Sequence, residues 1–191
     1  VLGIPSTSFR PLRRRIQVVF QNPYASLNPR WRIRRTLTEP MKLHGLGADE
    51  REREEKSARL LERVGLPRGA LDKYPYQFSG GERQRIAIAR CLTVEPEILI
   101  CDECVSALDI SIQLQILDLL RDLGREYGLT LLFISHDLAV VRQLADRIVV
   151  LHHGKVVEQA RTRDLFERPQ QAYTRQLLQA IPGRSLLATQ I

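Results

Sequence analysis

Two adjacent carboxylates, Asp102 and Glu103, close the short apolar segment EILICDE at positions 97–103. A strand buried on both faces of a parallel sheet has this continuous apolar character, and ligands of such sheets bind at the carboxyl ends of the strands. Mg²⁺ takes one or two carboxylates and keeps several waters, which suits Asp102. The second acid could orient or deprotonate an attacking water, which suits Glu103. The alternative is a strand that merely ends in polar residues.

Two further polar residues follow predicted strands. His136 comes after the apolar segment LTLLFIS at 129–135, so it should emerge at the same edge of the sheet, where histidine can hydrogen-bond a terminal phosphate or hold a water. Its alternative is a residue at the start of a helix. Gln21 ends the predicted strand RRIQVVFQ at 14–21 and could coordinate a metal through its amide oxygen. Its alternative is an ordinary loop residue.

The turn Ser79-Gly80-Gly81 precedes a predicted helix at 80–94. Glycines let a ligand approach the main chain, and a helix N-terminus presents free N–H groups to an anion. This combination favours a phosphate site at the turn. Alternatively, Ser79 is a simple N-cap.

The elements that must position these residues alternate along the chain. The stretch 22–78 is predicted to be helical, with an amphipathic helix over 48–65 that starts in acids and ends at a glycine. Beyond it, apolar strands at 97–103 and 129–135 flank an amphipathic helix at 111–127. A short helix at 137–145 and a strand pair turning at His153-Gly154 follow. This order predicts a parallel α/β sheet, with its strands buried on both faces.

The composition is that of an ordinary soluble globular chain, with 43% hydrophobic and 27% charged residues among 191. The longest apolar run, 129–134, is too short to cross a bilayer, and the N-terminus lacks a signal-peptide pattern. Three cysteines do not make a disulfide framework, which favours a reducing compartment. The motif CDEC at 101–104 is not interpreted as a redox or metal site, because Cys101 should be locked in a buried strand.

The net charge of +7 is concentrated in residues 1–38, which carry eight arginines and no acid. Such a basic segment can face nucleic acid, a membrane surface or an acidic partner, or can simply be solvated. No aromatic ladder accompanies the arginines, which argues against single-stranded nucleic acid.

Five segments occur in an order that resembles the nucleotide-binding subunit of an ABC transporter: VFQNPYASLNP, QFSGGERQRIAIAR, ILICDE, SALD and ISHD. Within that family the chain is most similar to the ATPase subunits of oligopeptide, dipeptide and nickel importers. The segment ERPQQAYTRQLLQAIP at 167–182 adds to this similarity.

The resemblance implies a P-loop NTPase (RecA-like) α/β fold with a parallel-sheet core and an inserted α-helical subdomain. The core would comprise 1–25 and 95–165, and the helical subdomain with the signature motif 26–94. The stretch 166–191 would be a C-terminal extension typical of the importer family.

The resemblance also implies a role for each candidate at the strand ends. Gln21 would be the glutamine that senses Mg²⁺ and couples to the membrane subunit. Asp102 would be the Walker B metal ligand and Glu103 the general base. His136 would be the switch histidine near the γ-phosphate of ATP.

By the same resemblance, Ser79, Gly80, Gly81 and Glu82 would form the signature motif that caps ATP bound to a second ATP-binding subunit. Asp109, in SALD, would be the acid at the dimer interface. Glu82 stands where glutamine is more usual, which places a negative charge near a phosphate unless its side chain turns away.

The implied cofactors are ATP and Mg²⁺, and the implied partners are transmembrane permease subunits, a second ATP-binding subunit and, indirectly, a solute-binding protein, with no nucleic acid. The implied location is the cytoplasmic face of the inner membrane, where the chain would be peripheral. The helical subdomain would dock on the permease.

No Gly-x-x-x-x-Gly-Lys-Ser/Thr segment occurs in the 191 residues, so the main phosphate cradle of such enzymes is absent from this stretch. In the family the cradle precedes the strand that ends at Gln21, so we expect the chain to be a fragment that lacks the first strand and the P-loop. On its own it should bind Mg-ATP poorly and hydrolyse it negligibly.

Two other interpretations stay open. A catalytically degenerate subunit would supply only its signature to the ATP site of a partner. An ABC-type ATPase of DNA repair or chromosome maintenance is less favoured, because the 57 residues between Gln21 and Ser79 carry no sustained heptads.

Overall fold

The computed structural model describes residues 6–180, which form helices and strands in alternation. In chain order they are α1 Ser6–Arg15, β1 Ile16–Val19, α2 Pro23–Ser26, α3 Ile33–Leu43, α4 Glu50–Arg63, α5 Gly80–Leu92, β2 Ile98–Asp102, α6 Ile110–Glu126, β3 Thr130–Ile134, α7 Leu138–Leu144, β4 Arg147–His152, β5 Lys155–Arg161, α8 Thr162–Glu167 and α9 Ala172–Gln179. Two short 3-10 helices, Arg68–Asp72 and Pro75–Gln77, lie between α4 and α5.

The chain divides into two compact units at the bond between Ile134 and Ser135. The first unit contains α1 through β3, and the second contains α7 through α9. The boundaries inferred from the sequence at 25, 94 and 165 stay predictions.

A three-stranded parallel sheet in the order β1-β2-β3 organises the first unit. In its register Val19 lies beside Cys101, and Asp102 lies beside Ile134. The parallel α/β sheet predicted from the sequence is therefore confirmed. The central strand β2 is the best covered, since Leu99 and Cys101 have no exposed surface.

β3 is less buried than the sequence predicted. The side chains of Leu132 and Ile134 are 52% and 46% exposed, because they lie on a face of the sheet that the described elements leave open. The apolar content of a strand does not reveal which of its faces is covered. A second difference is at 14–15, where Arg14 and Arg15 end helix α1 instead of opening the first strand.

Helix α4 has the end signals that the sequence predicted. The carboxylate of its N-cap Asp49 accepts a hydrogen bond of 2.8 Å from the N–H of Glu52, which satisfies one of the unpaired donors of the first turn. The helix ends at Arg63 with Val64 as C-cap, and Gly65 follows with a φ of +83°, a conformation that glycine adopts without strain.

The second unit is built on the antiparallel pair β4–β5, which turns at His153-Gly154 as predicted. The carboxylate of Glu158 in β5 accepts the N–H groups of Gln170 and Gln171 at 2.8 and 3.1 Å. Those two N–H groups precede the first turn of α9, so Glu158 ties this C-terminal helix to the strand pair. Leu178 of α9 is fully buried.

Within residues 6–180, none of the helices combines the length and the apolar character needed to cross a bilayer.

Candidate functional site

The two carboxylates predicted at the end of β2 lie at the edge of the parallel sheet. Asp102 is the last residue of the strand, and both it and Glu103 are partly exposed. The N–H of Glu103 donates to the carbonyl of Ile134 at 3.0 Å, which extends the pairing with β3 by one residue. Glu103 has a φ of +46°, an unfavourable region for a residue with a Cβ that is found disproportionately at functional sites.

Gln21 is connected to Glu103 through Ser106. The side-chain amide nitrogen of Gln21 donates to Ser106 Oγ at 3.1 Å, and Ser106 Oγ donates to the carbonyl of Glu103 at 2.9 Å. The N–H of Ser106 donates to the same carbonyl at 3.1 Å. The structure thus brings the ends of β1 and β2 together through a serine to which the sequence argument gave no role. Its position three residues after a strand-end acid was the only available signal.

Ser79 and Glu82 form a capping box at the start of α5. Ser79 Oγ accepts the N–H of Glu82 at 3.3 Å, and the Glu82 carboxylate accepts the N–H of Ser79 at 2.8 Å. That backbone hydrogen bond holds the pKa of Glu82 below its usual range. The Glu82 side chain therefore turns back along the helix start, one of the two arrangements that the sequence left open.

The two glycines of the turn differ in their surroundings. A Cβ on Gly80 would lie 3.6 Å from Leu108 Cδ2, an ordinary contact, whereas a Cβ on Gly81 would lie 2.6 Å from Ile112 Cγ2. Gly81 thus allows the start of α5 to approach α6 closely. From the sequence these glycines are predicted to let a ligand approach, and the packing requirement at Gly81 becomes visible only in the fold.

Asp109 and His136 occupy exposed positions. Asp109 is the N-cap of α6, and its carboxylate makes no capping hydrogen bond. Its backbone carbonyl accepts the N–H groups of Ile112 and Gln113. His136 lies in the second unit, two residues beyond the end of β3. The neighbouring Asp137, and not His136, caps α7.

The segment 103–112 is common to most of these contacts. It starts at Glu103, contains Ser106 and Asp109, and packs against the glycines of the Ser79 turn through Leu108 and Ile112. Gln21 is hydrogen-bonded to this segment, Asp102 directly precedes it, and Gly80 and Gly81 lie beside it. The side chains around it offer carboxylate and amide oxygens close to the N-terminus of α5.

Several arginines of the basic N-terminal segment pair with acids from later in the chain. Arg15 makes two hydrogen bonds to Glu97, of 2.7 and 2.6 Å, and Arg14 lies 3.5 Å from Glu95. Arg34 pairs with Asp72 at 2.7 Å.

Other arginines of the segment stack on rings, which the sequence argument did not foresee. The guanidinium of Arg35 lies 4.1 Å from the ring centre of Trp31, and that of Arg32 lies 5.5 Å from the ring centre of Tyr74. The ion pairs give part of this surface a mixed charge, whereas the stacked arginines keep their positive charge.

The cysteines of the described chain are buried. Contact with the Cys104 thiol and burial raise the pKa of the Cys101 thiol, and burial raises that of Cys91 to about 11. Thiols of this kind are poor nucleophiles. The prediction that Cys101 lies in a buried strand is confirmed.

Residues 3–106 match the family model described as ABC transporter, which covers more than half of the chain. The chain belongs to the ABC transporter family. The match spans the Gln21 segment, the Ser79 turn and the acids after β2, so the family assignment and the site geometry concern the same residues.

Curated relatives extend the similarity over almost the whole ABC chain. A protein of Brucella ovis whose name, itself provisional, is peptide import ATP-binding protein is 50% identical over 183 residues, or 96% of this chain. The glutathione import ATP-binding protein GsiA of Salmonella paratyphi A is 50% identical over 180 residues, or 94% of this chain. The chain spans 57% of the length of the first relative and 29% of the second.

A solved structure shares the fold of this ABC chain. The protein cbiO1 of Clostridium perfringens, described as part of the ABC transporter complex cbiONQ, superposes with a TM-score of 0.77 at 26% sequence identity. The superposition covers 96% of this chain and 71% of that one. The P-loop NTPase fold class inferred from the sequence is thereby confirmed.

Proposed function

We propose that the chain is part of the ATP-binding and ATP-hydrolysing subunit of an ABC importer for oligopeptides or dipeptides, in which ATP-driven closure of a dimer powers transport. The observation that carries this proposal is the clustering of the Gln21 amide, the acids after β2 and the Ser79 turn around the segment 103–112. The names of the relatives, which are importer subunits for peptides and for glutathione, support the substrate class.

The donor set at the strand ends fits Mg²⁺. The amide nitrogen of Gln21 is engaged by Ser106, which leaves the amide oxygen for a cation, and Asp102 contributes a carboxylate from the next strand. Oxygen ligands of this kind are those that Mg²⁺ prefers. When bound, the ion would neutralise phosphate charge during transfer of the γ-phosphoryl group of ATP. We assign the metal role to Gln21 and Asp102.

Glu103 is the proposed general base. Its backbone is fixed by three hydrogen bonds, one from its N–H to Ile134 and two from Ser106 to its carbonyl. A carboxylate on such a fixed backbone can hold an attacking water and accept its proton. His136 is assigned to the terminal phosphate, on the support of its position shortly after β3.

The Ser79 turn is the proposed cap on ATP bound by a second subunit. The N–H groups of Gly80 and Gly81 lie in the first turn of α5, where helical N–H groups have no acceptor within the helix, and can therefore face an anion. The Glu82 carboxylate accepts a hydrogen bond from the N–H of Ser79, which holds its negative charge at the start of α5. Asp109, whose carboxylate caps nothing, is assigned to the dimer interface.

The proposed partners are a second ATP-binding subunit, transmembrane permease subunits and, through these, a solute-binding protein. The proposed location is peripheral, at the cytoplasmic face of the membrane. The importer names of the relatives and the transporter complex of the solved neighbour support this assembly. The neutralisation of Arg14, Arg15 and Arg34 by acids supports the expectation that nucleic acid is not a partner.

The test is hydrolysis of Mg-ATP by the purified full-length polypeptide. Glu103→Gln should lower kcat by about 100-fold or more while ATP binding persists, since a general base contributes on this scale. The matched control is Glu97→Gln, which makes the same chemical change at the residue that precedes β2, at the end of the strand away from Glu103. It should leave kcat within about twofold of the wild-type value.

Hydrolysis that is equally fast in Glu103→Gln would remove Glu103 from the role of base. A full-length wild type that binds ATP without hydrolysing it would favour the degenerate subunit. In that case Ser79→Ala, introduced only into this subunit of a mixed dimer, should silence the ATPase of the partner.

A further inference from the structure

Arg83 in α5 is a buried cation next to the Ser79 turn. The residue is 6% exposed, and its Nε donates to the carbonyl of Pro75 at 2.8 Å. Among residues 6–180, no carboxylate lies within ion-pair distance of it, and burial alone lowers its pKa. A buried charge without an acidic partner is costly, so a cation at this position calls for another stabilising interaction.

The other interaction is with Tyr24 in α2. The guanidinium carbon of Arg83 lies 3.7 Å from the centre of the Tyr24 ring, close enough for the planar cation to stack on the ring face. Tyr24 itself is 61% exposed, so its ring is held against the protein on one face, where it stacks on Arg83.

Tyr24 is rigidly connected to Gln21. The side chain of Asn22 accepts the N–H of Tyr24 at 2.9 Å, and Pro23 occupies the first position of α2, where its fixed φ suits a helix start. Only these two constrained residues separate Tyr24 from Gln21. The backbone that carries the Tyr24 ring is therefore held close to Gln21.

A second arginine attaches the same short helix to α5. Arg90 lies seven residues after Arg83, which is about two helical turns and puts both on one side of α5. Its guanidinium donates to the carbonyl of Ser26, the last residue of α2. Arg83 and Arg90 thus hold the two ends of α2 against the helix that begins at Ser79.

We propose that Arg83 is a positioning residue for ATP hydrolysis, which couples the Ser79 turn to Gln21 through its stack on Tyr24. The proposal rests on the proposed function and adds to it a physical connection between the residues that cap one ATP and the residue that senses the metal of the other. Arg83 follows Ser79 by one helical turn, so a shift of the turn on nucleotide binding moves the guanidinium, the Tyr24 ring and α2 together.

The experiment measures kcat and KM of the full-length polypeptide for Mg-ATP. Arg83→Lys keeps the charge but loses the planar stack and the Nε donor, and Tyr24→Leu removes a ring that is 61% exposed. Circular dichroism of each variant checks that it is folded. Each should lower kcat by about fivefold to tenfold, the scale of a partly desolvated cation–π pair, and change KM less than about twofold. Tyr24→Phe, which keeps the ring face, should have the wild-type kcat.

The deciding variant combines Arg83→Lys with Gln21→Ala. If Arg83 acts through Gln21, Arg83→Lys has no further effect on kcat once the glutamine is gone, because residues that act as a unit are not additive. Tyr127→Leu, which removes another exposed ring at the end of α6, is the matched control and should leave kcat unchanged.

An equal loss of kcat from Arg83→Lys in the wild-type and Gln21→Ala backgrounds would overturn the proposal, as would a wild-type rate in Tyr24→Leu. Neither result would affect the proposed function, which fails if the full-length wild type does not hydrolyse ATP.

Discussion

The close approach of Gly81 to Ile112 predicts that Gly81→Ala destabilises the fold, although alanine is the better helix former. The added Cβ would lie 2.6 Å from Ile112 Cγ2, about 0.8 Å short of the nearest ordinary contact of 3.4 Å. Cγ2 branches directly from Cβ, and a β-branched side chain in a helix has essentially one χ1 rotamer, so the methyl group cannot swing aside.

The expected magnitude follows from two opposing effects. Overpacking of this kind costs about 1–3 kcal/mol, and replacing glycine by alanine in a helix returns up to about 1 kcal/mol. We expect Gly81→Ala to lower the free energy of unfolding by roughly 1–2 kcal/mol. Gly80→Ala is the matched control, because its Cβ would make only an ordinary contact of 3.6 Å, and it should be neutral or slightly stabilising.

The assay is urea denaturation of the full-length polypeptide, followed by circular dichroism, for the wild type and both alanine variants. Ile112→Ala supplies a second check, because it removes the methyl group that the new Cβ would strike. In that background the cost of Gly81→Ala should disappear, with a coupling energy of about 1 kcal/mol or more. If Gly81→Ala is as stable as Gly80→Ala, or if Ile112→Ala does not rescue it, the packing argument is wrong.

Three further predictions concern other contacts. The hydrogen bond from the N–H of Ser79 lowers the pKa of Glu82 from its ordinary 4.5, so the stability that this carboxylate contributes should be fully present above about pH 4.5 and be lost as the pH falls through the folded-state pKa. The difference in unfolding free energy between the wild type and Glu82→Gln, measured by denaturation at a series of pH values, should shrink over that range. A constant difference would contradict this prediction. Glu158→Gln places a side-chain NH₂ donor where the carboxylate accepted two backbone N–H groups, so the local free energy of opening at α9 should fall by about 1–3 kcal/mol. Amide hydrogen exchange in α9 should become faster, and unchanged exchange would show that Glu158 does not hold this helix. Gly65→Ala should cost about 1 kcal/mol for its positive φ and slightly more for its contact with Arg85; Gly128→Ala, with a similar φ and open space, is the control, and equal denaturation midpoints would remove Arg85 from the explanation.

The order and type of the main elements could be predicted from the sequence because hydrophobic period and end signals act locally. The acids before α4 and the glycine after it fixed that helix to within a few residues. The turn of Glu82 back to Ser79 was also open to prediction, since Ser-x-x-Glu before an apolar run is the pattern of a capping box.

What escaped prediction depends on contacts between distant parts of the chain. The exposure of Leu132 depends on which elements cover β3, and the neutralisation of Arg15 depends on an acid 82 residues away. The bridge of Ser106 between Gln21 and Glu103 likewise requires the register of β1 and β2. No local pattern contains that information.

The open face of β3 has a consequence for handling the 191-residue chain. β3 is one of the two outer strands of its three-stranded sheet, so its backbone edge and its exposed Leu132 and Ile134 side chains together offer a template for strands of other molecules. We therefore expect the chain by itself to aggregate in concentrated solution through intermolecular strand pairing while its helices are still folded. A lysine at position 132 would act as a gatekeeper against such assembly.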